Sequence, residues 1–92
     1  MKVIWTEHAA DDLESIVNQI RKDSPEAARR LAKEIFDTIM TLPALPLRGR
    51  KREEDAGREL VFAPWPYIVV YEVVETNLYI KAIRHTSRDW SH

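Results

Sequence analysis

Ser24-Pro25-Glu26 ends one helical periodicity and starts another within three residues, and this restart narrows the possible folds sharply. Before it, Ala9, Leu13, Ile16, Val17 and Ile20 recur at the spacing of one helix face. Thr6 stands where an N-cap belongs, Glu7, Asp11 and Asp12 follow near the positive helix end, and Arg21 and Lys22 close the last turn. After it, Ala28, Leu31, Ala32, Ile35, Ile39 and Leu42 form a second stripe that stops at Pro43. Ser24 is the second N-cap, and Pro25 occupies the first helical position, where a missing N–H costs nothing. Two amphipathic helices joined this closely must lie antiparallel, so the sequence predicts an αα-hairpin with one apolar side in need of a partner.

That partner is written into the last third. Arg58–Ala63, Tyr67–Val74 and Leu78–Ile83 are apolar, β-prone runs, with Ala63-Pro64-Trp65-Pro66 and Glu75-Thr76-Asn77 as turns between them. Tyr67–Val74 is apolar on both faces over Ile68-Val69-Val70-Tyr71, which suits a central strand covered by the helices. Lys2–Trp5 is a further short strand, and Pro43–Ala56 reads as an exposed loop. The order β-α-α-β-β-β predicts an α+β fold: an antiparallel sheet packed on one face by the N-terminal helical hairpin.

At 92 residues the chain has room for a single domain, 1–92. It contains no cysteine, which excludes disulfides and thiolate metal sites. The longest uncharged run in the strand region, Leu60–Tyr71, holds two prolines and is too short to span a bilayer. No signal-peptide pattern opens the chain, so the expectation is a cytoplasmic protein with no membrane contact. A net charge of −1 argues against affinity built mainly on phosphate neutralisation.

The polar residues that invite a functional reading cluster at the C-terminal end, in Arg84-His85-Thr86-Ser87-Arg88-Asp89-Trp90. Arg84, His85 and Arg88 form a cationic site for phosphate or an acidic surface, set against a plainer reading in which Arg88 pairs with a nearby acid. Arg58 either joins them across the sheet or is a solvated edge residue. Trp65, between two prolines, is a candidate partner contact, and Trp90 either clamps the C-terminus or contacts a target. Arg48, Arg50, Lys51 and Arg52 form the densest basic patch, but Glu53-Glu54-Asp55 follows and cancels much of its field. His8, His85 and His92 are scattered, and neither a metal site nor any other cofactor is expected.

These pieces, in this order, resemble the RelE/ParE superfamily of type II toxin–antitoxin toxins, which includes plasmid stabilisation proteins. The resemblance runs through Thr6-x-x-Ala9-x-x-Asp12-Leu13-x-x-Ile16, Ala27-Ala28 and Pro46-x-x-Gly49-Arg50. It continues in Arg58-Glu59-Leu60, Pro66-Tyr67-Ile68-Val69-Val70-Tyr71 and Ile83-Arg84-His85-x-x-Arg88-Asp89-Trp90. It implies a toxin neutralised in a hetero-oligomer by a cognate antitoxin, whose C-terminal segment wraps helices and sheet. In the RelE-like branch, ribosome-dependent endoribonucleases that cut mRNA, an arginine commonly follows the central-strand tyrosine; here that position is Ile68. An aliphatic side chain cannot stabilise phosphate charge. The resemblance therefore implies the ParE-like branch, non-catalytic inhibitors of DNA gyrase, with Arg88, His85, Arg84, Arg58, Trp65 and Trp90 as target contacts. The alternative is a RelE-like enzyme acting on ribosome-bound mRNA through His85, Arg88, Arg84, Arg58 and Lys51. A toxin-derived, non-toxic antitoxin-binding protein is the third reading.

Overall fold

The computed structural model describes residues 1–87. Its elements are β1 (Lys2–Trp5), α1 (Glu7–Arg21), α2 (Pro25–Thr41), a 3-10 turn at Leu42–Ala44, β2 (Arg50–Lys51), β3 (Arg58–Val61), β4 (Tyr67–Val74) and β5 (Asn77–His85). Both helix starts are capped as the sequence predicts. Thr6 Oγ1 accepts from the Ala9 N–H and Ser24 Oγ from the Ala27 N–H, each at 3.1 Å. Such a cap contributes about 1 kcal/mol. Most of the apolar stripe of α2 is used: Ala28, Leu31, Ile35 and Ile39 are buried, Ala32 is half-buried, and Leu42 continues the stripe into the 3-10 turn.

The sheet order is β1-β5-β4-β3-β2. The β3-β4-β5 meander is antiparallel, as expected, and β4 is central. The structure adds two features to the expected pattern. First, β1 joins the edge of β5 in parallel, Lys2 opposite Asn77 and Trp5 opposite Ile80, so the whole sheet is mixed. Second, Arg50–Lys51 pairs with Arg58–Glu59 and turns part of the expected loop into a short edge strand.

Strand alternation divides the sheet into two faces. Leu60, Tyr67, Val69, Tyr71, Leu78, Ile80 and Ile83 pack with the α2 stripe and Ala9 in the main core. Ile68, Val70 and Ala82 point to the other face and form a small separate cluster. The two faces of β4 are therefore both apolar for different reasons. Thr6 also donates from Oγ1 to the Ile80 carbonyl at 2.9 Å, and Asp12 Oδ2 accepts the Ile83 N–H at 3.0 Å. Thr6, the fully buried Ala9 and Asp12 thus dock one side of α1 onto β5, with the small side chain between two hydrogen-bonding ones. This accounts physically for the Thr-x-x-Ala-x-x-Asp spacing.

Candidate functional site

The basic segment after α2 is held from beneath. The buried Tyr71 hydroxyl accepts from the Gly49 N–H at 2.7 Å and donates to the Pro46 carbonyl at 2.9 Å. Arg58 Nη1 donates to the carbonyls of Gly49 at 2.8 Å and Leu47 at 3.3 Å. Arg58 is therefore a brace for the loop. It sits on the helix-side face opposite Tyr71, whereas Arg84, opposite Ile68, sits on the other face, so the two are not brought together. The Arg52 side chain, 7% exposed, donates to Glu59 at 2.7 Å, Asp55 at 3.1 Å and Glu54 at 3.2 Å. The Asp55 carboxyl is held below its ordinary pKa, chiefly by the Gly57 N–H and then by Arg52. The acids that follow the basic patch thus bind it directly, and the expected solvated loop is a folded ion-pair network. Arg50 reaches Glu59 at 3.0 Å but stays exposed, as do Arg48 and Lys51.

At the far end of β5, Arg84 is exposed and His85 half-buried. The His85 ring packs edge-on against Tyr67, with centroids 5.4 Å apart, and its Nδ1 accepts from the Ser87 N–H at 3.1 Å. Ser87 Oγ lies 2.7 Å from the same nitrogen, so both Ser87 groups engage Nδ1. Arg88 and Trp90 lie outside the described residues. Trp65 does not project as a free aromatic. Its Nε1 donates to Glu34 at 2.9 Å, and the Arg30 guanidinium lies 5.5 Å from the ring centroid, so the turn folds back onto α2.

Three surface features result. One cleft, bordered by Arg50, Lys51, Arg52, Glu59 and Arg84, opens on the sheet face away from the helices. A second lies between α1 and the β4–β5 end, bordered by His8, Asp12, Ser15, Tyr67, Arg84 and His85. The third is an apolar groove over the outer side of the hairpin, formed by Trp5, Leu13, Val17 and the exposed Phe36. Among the described residues, no set of His, Asp and Glu converges as a metal-holding group. Sequence reasoning did not place Tyr67 or Asp12 at a cleft, and read Asp12 only as an acid near the helix start. The four-residue spacing of His8 and Asp12, which places both on one helix face, was the available signal.

This fold, with a helical hairpin on one sheet face and a cationic strand end, is that of the small toxins of type II toxin–antitoxin modules. The profile of the family described as "ParE toxin of type II toxin-antitoxin system, parDE" matches residues 3–90, and the chain belongs to that family. Toxin RelE2 of Caulobacter vibrioides is 38% identical over 87 residues, covering 95% of this chain and 97% of the relative. Protein Y4kP of Sinorhizobium fredii is 33% identical over 89 residues, covering 97% and 92%. A solved chain of the chromosomal ParDE system from P. aeruginosa superposes with a TM-score of 0.80 at 26% identity, covering 92% of this chain and 95% of that one. YafQ from E. coli shares the fold alone, at a TM-score of 0.53 and 13% identity. The protein is a type II toxin, and an antitoxin is its partner.

Proposed function

We propose that this toxin is a non-catalytic inhibitor of DNA gyrase that acts in the cytoplasm and contacts its target through the Arg84–His85 end of β5. The observation that carries this reading is the fate of the cations a ribonuclease would need around a scissile phosphate. Ile68, buried in an apolar cluster, fills the central-strand position, Arg58 braces backbone carbonyls, and Arg52 is held by three carboxylates. A phosphoryl-transfer centre needs such groups aimed at the developing charge. Here Arg58 and Arg52 are committed to the fold and position 68 is apolar, which leaves the exposed Lys51 without the guanidinium partners such a centre needs. Arg84, exposed on a rigid strand next to His85, is left to meet another macromolecule.

The antitoxin has a separate seat in this reading. The Trp5-Leu13-Val17-Phe36 groove is apolar and fits one face of an amphipathic segment. No helix among the described residues is long and apolar enough to cross a membrane.

Induction of the chain in bacterial cells tests the target. DNA breaks and an SOS response with intact mRNA are expected, together with inhibition of purified gyrase that Arg84→Ala weakens. Translation arrest with mRNA cut at codon boundaries would instead establish the ribosome-dependent reading, and harmless expression of folded protein would exclude both.

A further inference from the structure

The apolar groove on the hairpin has one charged side chain in its lining, and that carboxylate limits what its occupant can be. Trp5, Ala10, Leu13, Val17 and Phe36 supply the apolar walls, and the exposed Glu14 stands among them. On α2, exposed charges pair one turn apart: Arg30 faces Glu34 at 3.9 Å and Lys33 reaches Asp37 at 2.6 Å. Glu14 has no such option. The positions three and four residues from it are Ala10, Asp11, Val17 and Asn18, with no cation among them. It also lies beyond the first turn of α1, so the helix dipole does not account for it. Glu7 precedes it by seven residues, two turns, and returns to nearly the same side of the helix. The two carboxylates thus follow the α1 edge of the groove, about 10 Å apart along the axis. Arg21, seven residues further on, reverses the sign and marks where this acidic edge ends.

We propose that the occupant is an amphipathic antitoxin helix carrying two lysine or arginine residues seven positions apart beside its apolar face, one opposite Glu14 and one opposite Glu7. This rests on the groove being the antitoxin's seat, and adds the form and charge of the segment that fills it. The spacing selects a helix over a strand. Residues seven apart on a helix rise about 10 Å and share a side, which matches the two carboxylates. On a strand about 10 Å is three residues, and residues three apart point to opposite faces. The apolar surface agrees. On α2, Phe36 and Met40 are one turn apart and each 52% exposed, a second apolar row at helical spacing for such a face to cover. Charges beside the apolar face of paired helices set register and partner choice more than raw affinity. Glu7 and Glu14 therefore select the cognate antitoxin and fix how it lies.

The test is calorimetric titration of the full-length toxin with the antitoxin of its own operon, with Phe36→Asp measured alongside. Glu14 is exposed, so its substitution spares the core. Glu14→Gln is expected to weaken binding about fivefold, and Glu14→Lys by more than about tenfold. Raising salt from about 50 to about 500 mM should weaken the parent complex more than that of a Glu7→Gln, Glu14→Gln double variant. Reversing the facing antitoxin cation to glutamate should restore binding to Glu14→Lys, a rescue that a merely structural effect does not permit. Circular dichroism should show helix gained on mixing. The outcomes separate this inference from the seat beneath it. Binding indifferent to Phe36→Asp removes the seat, and the inference with it. Binding lost in Phe36→Asp but indifferent to Glu14→Lys, or a bound segment that gains strand and no helix, keeps the seat and overturns the inference.

Discussion

A methyl group at position 49 would lie 2.8 Å from the Tyr71 ring and hydroxyl and 2.9 Å from the Glu59 carbonyl. Neither neighbour yields easily, because the hydroxyl is tied to two backbone groups and the carbonyl belongs to a paired strand. Gly49→Ala is expected to lower stability by about 1–3 kcal/mol, the usual range for forced overpacking. Tyr71→Phe should cost a similar amount, since it leaves the buried Gly49 N–H without a partner. Urea unfolding of both variants checks this. Asp55 makes a different prediction. Its carboxyl titrates below the ordinary value of 3.8 in the folded chain, so the unfolded chain takes up that proton first on acidification. The stability it contributes is complete above that ordinary value and is lost as pH falls through the folded one. Asp55→Asn should therefore flatten the acid limb of a stability-versus-pH curve, and an unchanged slope would remove Asp55 from the network. Arg58 shows why such roles were hard to read from sequence. Its partners are backbone carbonyls of Leu47 and Gly49, which leave no mark in residue identity.

At the scale of elements, the β4–β5 turn contains a local conflict. Val74 pairs directly with Asn77, so Glu75 and Thr76 alone make the turn, and Glu75 has a φ of 56°. A non-glycine residue in the left-handed region carries about 1–2 kcal/mol of steric cost, partly offset in a glycine variant by backbone entropy. Glu75→Gly is expected to raise stability by about 0.5–1 kcal/mol in thermal unfolding, with the strand register unchanged. The helices and the meander were legible because periodicity reports which face an element buries. Strand pairing across long separations was not. Nothing local tells Lys2–Trp5 to run parallel to β5, since that choice is made where Thr6 and Asp12 fasten α1 to Ile80 and Ile83. The two-residue β2 was equally hidden, because both of its side chains are exposed and carry no alternation. The clefts share this limit: Asp12 meets the Ile83 N–H across 71 residues of sequence, a contact that helix-start polarity at Asp12 does not announce.

For the whole molecule, the proposed reading assigns neutralisation and action on the target to separate surfaces. The apolar groove lies on the outer side of the hairpin, and Phe36 on its rim is 52% exposed. Arg84 stands on the sheet face turned away from the helices, opposite Ile68. An antitoxin seated in the groove therefore gains its affinity from residues with no part in the proposed target contact. Phe36→Asp removes an aromatic anchor and places a charge in an apolar seat, while the exposed position spares the core. Truncated interface anchors commonly cost 2 kcal/mol or more, so antitoxin affinity should fall by at least about tenfold. Toxicity of the variant expressed alone should match that of the parent chain. Co-expression then gives the decisive comparison: the antitoxin should rescue growth from the parent toxin and fail against Phe36→Asp. Full rescue, with unchanged affinity by calorimetry, would place the antitoxin elsewhere on the fold. Loss of toxicity in Phe36→Asp alone would show that target and antitoxin compete for one surface, in which case neutralisation works by direct occlusion of the hairpin.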